Sequence, residues 1–469
     1  MKKKIVLALI AGTLFTACSQ KDKGITGTWY GLKYGAPMTV EINDSVISIF
    51  SEASSNITMH ANYSIEKTGE NTFNIDMGGV MGMSGQGFGV LDGEELEIAT
   101  LFGPKEYVQR PASVEDLQGN PASMVLNLSR NKSKFKSVID EEVEAPESAK
   151  LAFERNKRLG HGINLNNVVD GNSHMGNPPD QPFTDFDAKR IADAGFKSVR
   201  LATCWVKHSE PTAPYTIDPE FFKKVDGIVD LCLKHGLAVS IDVHYYPYIN
   251  MTNPDPVLTF DENIDRLSYL WEQIADHYKD YSNDLVFFDL LNEPAPTLDV
   301  DRYNDMIANL IGVVRKTNPD RTILIGTPSL GQHWTIGELR FPENEWNIIA
   351  ECHYYLPHTF THQGLGYAGV ADVHGTKWTG TDAERAPILK DFAYLAKWSK
   401  MQNRPVNIGE FGVNDEADLE SRARYLKFMR DNIDANGMSF HLWGYRECFH
   451  IMDLNTGTWE ETAIKALNY

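Results

Sequence analysis

Eight short apolar runs that alternate with helix-like stretches constrain the fold of this chain more than any other feature. The runs occupy residues 162–165, 198–203, 238–246, 285–294, 322–329, 347–355, 405–412 and 438–446. They are apolar on both faces, as the strands of a buried parallel sheet are. Gly195, Gly236 and Gly437 end several of the helical stretches between them. The alternation predicts an α/β fold, a (β/α)8 TIM barrel with extended loops, over residues 151–469.

A doubly wound parallel sheet is the alternative architecture for the same alternation of strands and helices. Such a sheet commonly carries a Gly-x-Gly-x-x-Gly turn after an early strand, and this sequence has none there. The barrel is therefore the favoured prediction.

The N-terminal part of the chain has a different pattern. Between residues 24 and 112, short runs alternate apolar and polar residues with a period of two, and Gly, Asn and Asp separate them. This pattern predicts a small all-β barrel or sandwich domain at 18–112. The opening Gly27-Thr28-Trp29 and the closing Tyr-Val-Gln-Arg resemble lipocalin-like domains. A spacer role is favoured over a sugar-binding accessory module, and residues 113–150, with mixed charges and weak periodicity, are interpreted as a linker.

The first residues of the chain have the pattern of a targeting segment. Three lysines precede an apolar run from Ile5 to Phe15, which is too short to span a bilayer. Small residues before Cys18 resemble a bacterial lipoprotein signal, so residues 1–17 are predicted to be a signal peptide and Cys18 the lipidated residue. The implied location is the cell envelope, in the outer membrane and facing either side. Simple secretion with cleavage near Ala17 is the alternative.

The charge balance limits the class of partner. The chain has 44 Lys plus Arg and 64 Asp plus Glu, so its formal net charge is 44 − 64 = −20. This excess of negative charge argues against nucleic acid and anionic lipid surfaces. It suits a neutral ligand such as a sugar, with membrane attachment only through the N-terminal lipid. The oligomeric state is left open.

Polar and aromatic residues recur at the carboxyl ends of the predicted strands, where the functional residues of this type of barrel lie. Arg200 lies on the second strand and His244 ends the third. The other members of the set are Asn292, Glu293, His353, Tyr355, Glu410 and Trp443. Because they occur at the same relative place on most strands, we expect them to surround one pocket.

Two glutamates form the chemical centre of this set. Glu293 lies in Leu-Asn-Glu-Pro and Glu410 in Ile-Gly-Glu-Phe-Gly, each after a strongly apolar strand. An unpaired ionised carboxylate would be costly there. Reaching inward from opposite sides of a barrel, the two carboxyl groups are expected about 5 Å apart, the separation that suits retaining glycoside hydrolysis. Structural pairing of each glutamate with Arg or Lys is the alternative.

These motifs give residues 158–469 a resemblance to glycoside hydrolase family 5, the retaining cellulase and mannanase family of (β/α)8 barrels. The resemblance implies that Glu293 of Asn-Glu-Pro is the general acid/base and that Glu410 is the nucleophile. It also implies a contact from Asn292 to the sugar 2-hydroxyl group and a place for Arg200 beside the nucleophile. The Asp-x-His pattern is met by Asp242 and His244, the His-x-Tyr pair by His353 and Tyr355, and the aromatic floor by Trp443.

The predicted function is that of an endo-acting retaining hydrolase of a β-linked polysaccharide, without a cofactor or a metal. β-1,4-Glucan is the first choice of substrate and β-mannan the second, with xyloglucan and mixed-linkage glucan left open. Three further aromatic residues just beyond strand ends or in the following loops, Trp205, Tyr246 and Trp378, are expected to extend the substrate cleft.

Two other classes of function are weighed. A metal-dependent hydrolase would use His244, His353, Glu351 and Asp289 as ligands. The first strand has no His-x-His pair, however, and no His-Glu-x-x-His occurs. A noncatalytic glycan-binding lipoprotein would be expected to lack one of the two carboxylates, and both are present.

Overall fold

The computed structural model describes residues 24–54, 58–80, 83–104, 108–117, 123–171, 180–246, 249, 257–296, 298–446, 448–453 and 456–467. The predicted signal peptide 1–17 and Cys18 lie outside the described residues. The chain divides between Ser137 and Val138 into two compact units. Within the described ranges, no helix is long and apolar enough to cross a membrane.

The first unit is a closed antiparallel barrel in which each strand pairs with the next and the last pairs with the first. Its strands are β1 (Gly27–Lys33), β2 (Ala36–Ile42), β3 (Val46–Ser51), β4 (Met59–Lys67), β5 (Thr72–Val80), β6 (Met83–Asp92), β7 (Glu95–Gly103) and β8 (Ser123–Ser129). Short 3-10 segments lie at Glu115–Leu117 and Lys132–Lys134.

The period-two pattern explains how this barrel fills its interior. Along β2, Met38, Val40 and Ile42 are buried, while the residues between them are partly or fully exposed. Trp29 of β1 is fully buried and donates its indole N–H to the Ile25 carbonyl at 2.6 Å. These side chains belong to one apolar cluster that includes Ile47, Ile75, Ile98 and Leu126. The barrel interior is thus a packed core, and closure of the ring decides between the barrel and the sandwich.

The segment 113–150 differs from the predicted linker. Residues Ser123–Ser129 form β8, which pairs with β7 over its whole length and with β1 through Tyr30 and Ser129. The run Met-Val-Leu-Asn-Leu is short, so its alternation gives little signal by itself. The open hydrogen-bonding edges of β1 and β7 supply the reason for a strand here, because closure removes both edges.

The second unit is a closed barrel of eight parallel strands. These are β9 (His161–Val169), β10 (Ser198–Thr203), β11 (Ala238–Asp242), β12 (Val286–Asp289), β13 (Ile323–Gly326), β14 (Ile348–His353), β15 (Val406–Phe411) and β16 (Ser439–Leu442). They pair in chain order, and β16 closes on β9. A two-stranded hairpin, β17 (Met452–Asp453) and β18 (Thr458–Trp459), follows.

Helices connect and flank the parallel strands. They include α1 (Ala149–Leu159), α2 (Asp185–Asp193), α3 (Pro219–Lys234), α4 (Phe260–His277), α5 (Val300–Arg315), the single turn α6 (His358–Thr361), α7 (Asp382–Gln402), α8 (Leu419–Ala435) and α9 (Glu461–Leu467), and a further short turn lies at Pro328–Gly331. The segments Trp205–His208 and His333–Glu338 are 3-10 helices.

Local sequence signals set the ends of these helices. Thr259 and Glu262 form a reciprocal capping box at the start of α4, and Thr381 and Glu384 do the same for α7. Gly236 follows α3 with a φ of 77°, a left-handed conformation that favours glycine at a helix end. The predicted alternation of strands and helices is therefore present in the structure.

From β11 to β16, the observed strands end earlier than the apolar runs do, and this difference positions the site. The run 238–246 contributes a strand only as far as Asp242, so His244 and Tyr246 follow the strand. Likewise β12 ends at Asp289, and Glu293 lies four residues beyond it. The polar residues at the ends of the runs therefore stand in the loops at the carboxyl-terminal mouth of the barrel.

Candidate active site

The site forms at the carboxyl-terminal mouth of the parallel barrel. Arg200, His353 and Glu410 lie near the ends of β10, β14 and β15. The other predicted members, which follow the ends of their strands, are His244, Asn292, Glu293, Tyr355 and Trp443. The contacts described below bring all eight together, as expected from their common position relative to the strands.

Arg200 is the centre of the polar network. Its guanidinium is fully buried and donates to the Asp289 Oδ2 at 2.7 Å, the Glu410 Oε1 at 3.0 Å and the Asn292 Oδ1 at 2.9 Å. It also lies 3.1 Å from the Asp242 Oδ2. These carboxylates raise the pKa of Arg200 well above its ordinary value, although burial opposes the rise. Arg200 therefore stays charged and fixes both Glu410 and Asn292.

Glu410 is almost completely buried and accepts contacts from several donors. Its Oε1 accepts from Arg200, and its Oε2 accepts from the Tyr355 hydroxyl at 2.9 Å. The Nδ1 of His353 lies 3.4 Å from the same Oε2. Donors directed at both oxygens hold this carboxylate in one orientation and favour its ionised form.

Glu293 reaches the same point from the other side. Its side chain is 35% exposed, and its Oε1 lies 2.8 Å from the Nδ1 of His353. The backbone of Glu293 has a φ of 42°, which is unusual for a residue with a side chain. Strain of this kind concentrates at functional sites, where the surrounding structure has to maintain it.

The two carboxylates face each other at short range. One oxygen of Glu293, one oxygen of Glu410 and one nitrogen of His353 all lie within 4.8 Å of one another. Carboxyl groups about 5–5.5 Å apart suit direct attack on an anomeric carbon, whereas about 6.5–9.5 Å leaves room for an intervening water. The geometry fits direct attack.

The protonation of the site depends on the interaction of these three groups. Burial raises the pKa of Glu410 above its ordinary value, and the charge of Glu293 adds to the rise while His353 and Arg200 oppose it. Burial would also raise the pKa of Glu293, but the hydrogen bond with His353 lowers it.

Burial alone would lower the pKa of His353, but the charges of Glu410 and Glu351 and the hydrogen bond with Glu293 raise it well above its usual value. Between the pKa of Glu410 and that of His353, the site therefore holds a proton on His353, in its hydrogen bond to Glu293.

An aromatic floor lies beside the carboxylates. Trp443 stacks on the imidazole of His244 with ring centroids 5.2 Å apart and an angle of 6° between the planes. The Nδ1 of His244 is 2.8 Å from the Asp242 Oδ2, which fixes the ring. Trp443 also joins Phe449 and Tyr355 in an apolar cluster. A flat apolar surface of this kind suits the face of a sugar ring.

The metal alternative is not supported by the donor chemistry. The proposed ligands His244, His353, Glu351 and Asp289 do not form a group with ligand atoms in mutual reach among the described residues. Both nitrogens of His353 face carboxylates, Nδ1 towards Glu293 and Nε2 towards Glu351. A doubly protonated imidazole has no lone pair to offer a metal.

The expectation for Trp205, Tyr246 and Trp378 as walls of the substrate cleft is wrong. Trp205 and Tyr246 are fully buried, and their polar atoms donate to backbone carbonyls of Asp242 and Asn263. Trp378 is 1% exposed and packs against Tyr425 and Phe428 of α8. These aromatic side chains point from the loops into the core, and sequence position alone does not give that direction.

Three members of the polar network, Asn164, Glu351 and Asp289, did not enter the predicted site. Asp289, which accepts from Arg200 at 2.7 Å, was considered only as a metal ligand. Asn164 of β9 accepts from Arg200 at 3.1 Å through its Oδ1 and donates to the Gly409 carbonyl. Glu351 was considered only as a metal ligand, and its Oε1 lies 2.8 Å from the Nε2 of His353. The available signal was a polar residue within an apolar run, in Gly-Ile-Asn-Leu and Ile-Ile-Ala-Glu-Cys.

A closed parallel barrel with two facing glutamates at its carboxyl-terminal mouth defines the class of (β/α)8-barrel enzymes that work with paired carboxylates. The model of the cellulase family, glycosyl hydrolase family 5, matches residues 160–447, and the chain belongs to this family.

Individual relatives are endoglucanases. Endoglucanase H of Acetivibrio thermocellus is 31% identical over 294 residues, which are 62% of this chain and 30% of that protein. Cellulase/esterase CelE of the same organism is 26% identical and is covered over 38% of its length. The chain thus spans well under half the length of these two relatives.

Solved structures agree with the fold of the second unit. Endoglucanase Cel5A of Thermotoga maritima is 35% identical, with a TM-score of 0.62 over 67% of this chain and 99% of that chain. Its structures include complexes with cellobiose and with mannotriose.

Proposed function

We propose that the chain is an endo-acting retaining hydrolase of β-1,4-glucan that works by double displacement. The observation that carries the proposal is the pair of glutamate oxygens within 4.8 Å of each other. Two carboxyl groups at this range act on opposite faces of one anomeric centre, one as nucleophile and the other as acid and base.

In the first step, Glu410 attacks the anomeric carbon. A carboxylate oxygen of Glu410 forms an ester bond to this carbon while the glycosidic C–O bond breaks. Glu293 gives a proton to the leaving oxygen, so the shortened glucan departs as an alcohol. Asn292, oriented by Arg200, contacts the sugar 2-hydroxyl group, a contact that strengthens in the oxocarbenium-like transition state.

His353 supplies the proton for this step. Its Nδ1 lies 2.8 Å from the Glu293 Oε1, within reach for transfer along a hydrogen bond. As negative charge develops on the leaving oxygen, the proton moves from His353 through Glu293 to that oxygen.

In the second step, water enters on the side of Glu293. Glu293 takes a proton from the water and passes it back to His353, the oxygen attacks the anomeric carbon and the ester bond to Glu410 breaks. Two inversions at one carbon return the original β configuration. Proton NMR of the newly released products is expected to show this β configuration. Products of α configuration would contradict the assignment.

The substrate follows from the relatives. Several family relatives are named endoglucanases, and Cel5A was solved with both cellobiose and mannotriose. β-1,4-Glucan is therefore the first substrate and β-mannan the second. A panel of soluble glucans, mannan, xyloglucan and mixed-linkage glucan, with viscosity measured against reducing ends, tests both linkage and endo action. An early fall in viscosity is expected on β-1,4-glucan.

The roles of the two glutamates are tested by removing each. Glu410→Ala is expected to lower kcat by a factor of about 10⁴ or more, while the variant still binds cellooligosaccharides. Added azide enters the vacated face and gives an α-glycosyl azide from an activated β-glycoside. Azide with Glu293→Ala gives the β-glycosyl azide instead. Glu420→Ala, an exposed glutamate on α8, serves as the control. Near-normal rates in Glu410→Ala would refute the nucleophile assignment.

We propose further that Cys18 anchors the protein to the bacterial outer membrane through lipid and that the lipocalin-like first unit serves as a spacer. The three lysines, the short apolar run and the small residues before Cys18 support the anchor. Metabolic labelling with a fatty acid is expected to mark the intact protein and not Cys18→Ser. Equal labelling of both would exclude this anchor.

A further inference from the structure

A buried carboxylate lies directly beneath the histidine of the site. Glu351 is on β14, two residues before His353, and its Oε1 is 2.8 Å from the His353 Nε2. Both side chains are 2% exposed. Neither of these two atoms has a hydrogen-bond partner elsewhere among the described residues. At these two atoms, the carboxylate and the imidazole therefore have only each other as partners within the described ranges.

Two glycines on the neighbouring strands leave the space that this carboxylate occupies. A Cβ atom added at Gly409 of β15 would lie 1.5 Å from the Glu351 Oε1. A Cβ added at Gly326 of β13 would lie 3.1 Å from the Oε2. Since any side chain at Gly409 would displace the carboxylate, the barrel has a slot shaped for Glu351 between two strands.

The charged groups around His353 are mostly acidic. Glu293 faces its Nδ1 from the loop after β12, Glu410 faces it from β15, and Glu351 faces its Nε2. Gly331 packs against the ring from the loop after β13 and brings no charge. The other titratable groups near Glu351 are Arg200, Asp289 and Tyr303.

We propose that Glu351 is a positioning residue for the hydrolytic reaction, acting through His353 to hold the proton that Glu293 delivers. This inference rests on the proposed function and adds a residue to it. By accepting from Nε2, Glu351 directs the imidazole so that Nδ1 keeps its proton and points at Glu293. A carboxylate behind an imidazole plays the same part in other sites, where it fixes the ring orientation and stabilises the imidazolium.

A purely structural role makes a different prediction. If Glu351 only fills its slot, its replacement by the isosteric glutamine preserves the packing and leaves the protonation of His353 unchanged. If Glu351 supports the proton on His353, the same replacement lowers the pKa of His353 without emptying the slot. The two roles separate on the titration of His353.

The principal experiment compares the wild-type protein with Glu351→Gln. In ¹⁵N NMR of the imidazoles, the pKa of His353 is expected to fall by about one unit or more. The alkaline limb of the kcat/KM profile moves down by the same amount. On β-1,4-glucan, kcat measured at a pH on the alkaline limb falls about 10-fold or more, and KM changes little.

A substrate with a good leaving group isolates the proton-delivery step. With 2,4-dinitrophenyl cellobioside, departure of the phenolate needs no proton. In Glu351→Gln, the rate of dinitrophenolate release is expected to stay within about twofold of wild type. An equal loss on this substrate and on glucan would overturn the proposal, because it would show general damage to the site.

Two further variants complete the test. Glu351→Asp keeps the charge but withdraws it by one methylene, so the His353 titration should lie between those of wild type and Glu351→Gln. It also carries the NMR test if the glutamine variant does not fold. Asp391→Asn alters another buried carboxylate beside a histidine, since Asp391 lies 3.3 Å from His333 and accepts from the Tyr354 hydroxyl. It should leave both pH limbs unchanged.

An unchanged His353 titration in Glu351→Gln and Glu351→Asp would overturn the positioning role. Failure of the proposed function would look different. The wild-type protein would then hydrolyse no panel substrate, while the NMR titration would still report on the contact between Glu351 and His353.

Discussion

Buried charge is concentrated in the side chains around Arg200. One guanidinium serves Asp289, Asp242 and Glu410, all nearly or completely inaccessible to solvent. Burial raises the pKa of Asp289 to about 7 despite the adjacent Arg200. Such a network adds little net stability, because removing ions from water costs about as much as their attraction returns. Its value lies in fixing Asn292 and Glu410 for chemistry.

Loss of the guanidinium should be costly for folding as well as for turnover. Arg200→Met leaves three buried carboxyl groups without their shared partner and is expected to lower the free energy of unfolding by about 3–5 kcal/mol. Chemical denaturation at pH 7 and at pH 5 measures the effect. The deficit should shrink at the lower pH, where the carboxyl groups take up protons. A stability equal to wild type at both values would contradict the network.

The pH profile of the activity should be bell-shaped, with both its acid limb and its alkaline limb at higher pH than the ordinary pKa values of glutamate and histidine would give. Glu410 must be ionised to attack, and its pKa is raised, so activity is lost as the pH falls through a value above the ordinary glutamate range. His353 must carry a proton, and its pKa is raised, so activity is lost only as the pH rises above the ordinary histidine range. Profiles of kcat/KM on a soluble glucan test both limbs. An alkaline limb near pH 6 would contradict the state assigned to His353.

At the scale of elements, a buried arginine joins a helix end to the barrel. Arg321 precedes β13 and is fully buried, and its guanidinium donates to the carbonyls of Tyr278, Tyr281, Ser282 and Val286. These carbonyls lie just after α4 and at the start of β12. One side chain thus satisfies acceptors that burial would otherwise leave without donors.

Replacement of this arginine by lysine should destabilise the barrel without altering its chemistry. Lysine has a single ammonium group in place of a planar fork and cannot reach all four carbonyls, so Arg321→Lys is expected to cost about 2–4 kcal/mol. Thermal unfolding measures the loss, and KM for glucan should not change. Arg302→Lys, at an exposed ion pair with Asp261, is a matched control expected to be near neutral.

At the scale of the whole molecule, the chain consists of two units with separate interiors. The antiparallel barrel is packed around Trp29 and its apolar neighbours, and the parallel barrel contains all the residues of the site. Within the described parts of the chain, each has a closed sheet and leaves no long strand edge unpaired. Separate cores of this kind are the mark of domains that fold alone.

The catalytic unit should therefore work without the first. A fragment of residues 138–469 is expected to hydrolyse a soluble β-1,4-glucan with a kcat/KM within about twofold of the longer protein. A fragment that starts at Leu151 is a useful comparison, because it removes part of α1 and the segment before it. A large loss of activity in the 138–469 fragment would show that the first unit does more than space the enzyme.

The two facing glutamates were predictable because their signal is local. Glu293 and Glu410 stand in short motifs towards the ends of apolar runs, and the barrel brings the ends of its strands to one mouth whatever the detailed packing. β8 was harder to predict from the sequence. Its alternating pattern is short, and the segment forms a strand because β1 and β7 offer it two open edges to pair with. Glu351 and Asn164 could be recognised only as polar residues in apolar runs, because the sequence does not show which side chains they contact.

The amino-acid sequence by itself determined the strand–helix alternation, the helix caps and the identity of the two facing glutamates, because each depends on periodicity or on neighbours in the chain. Tertiary structure decided the rest. It directed the side chains of Trp205, Tyr246 and Trp378 into the core. It also placed the Glu351 carboxylate between Gly326 and Gly409, next to His353. Side-chain direction and the approach of strands distant in sequence depend on packing, and packing is a property of the folded chain.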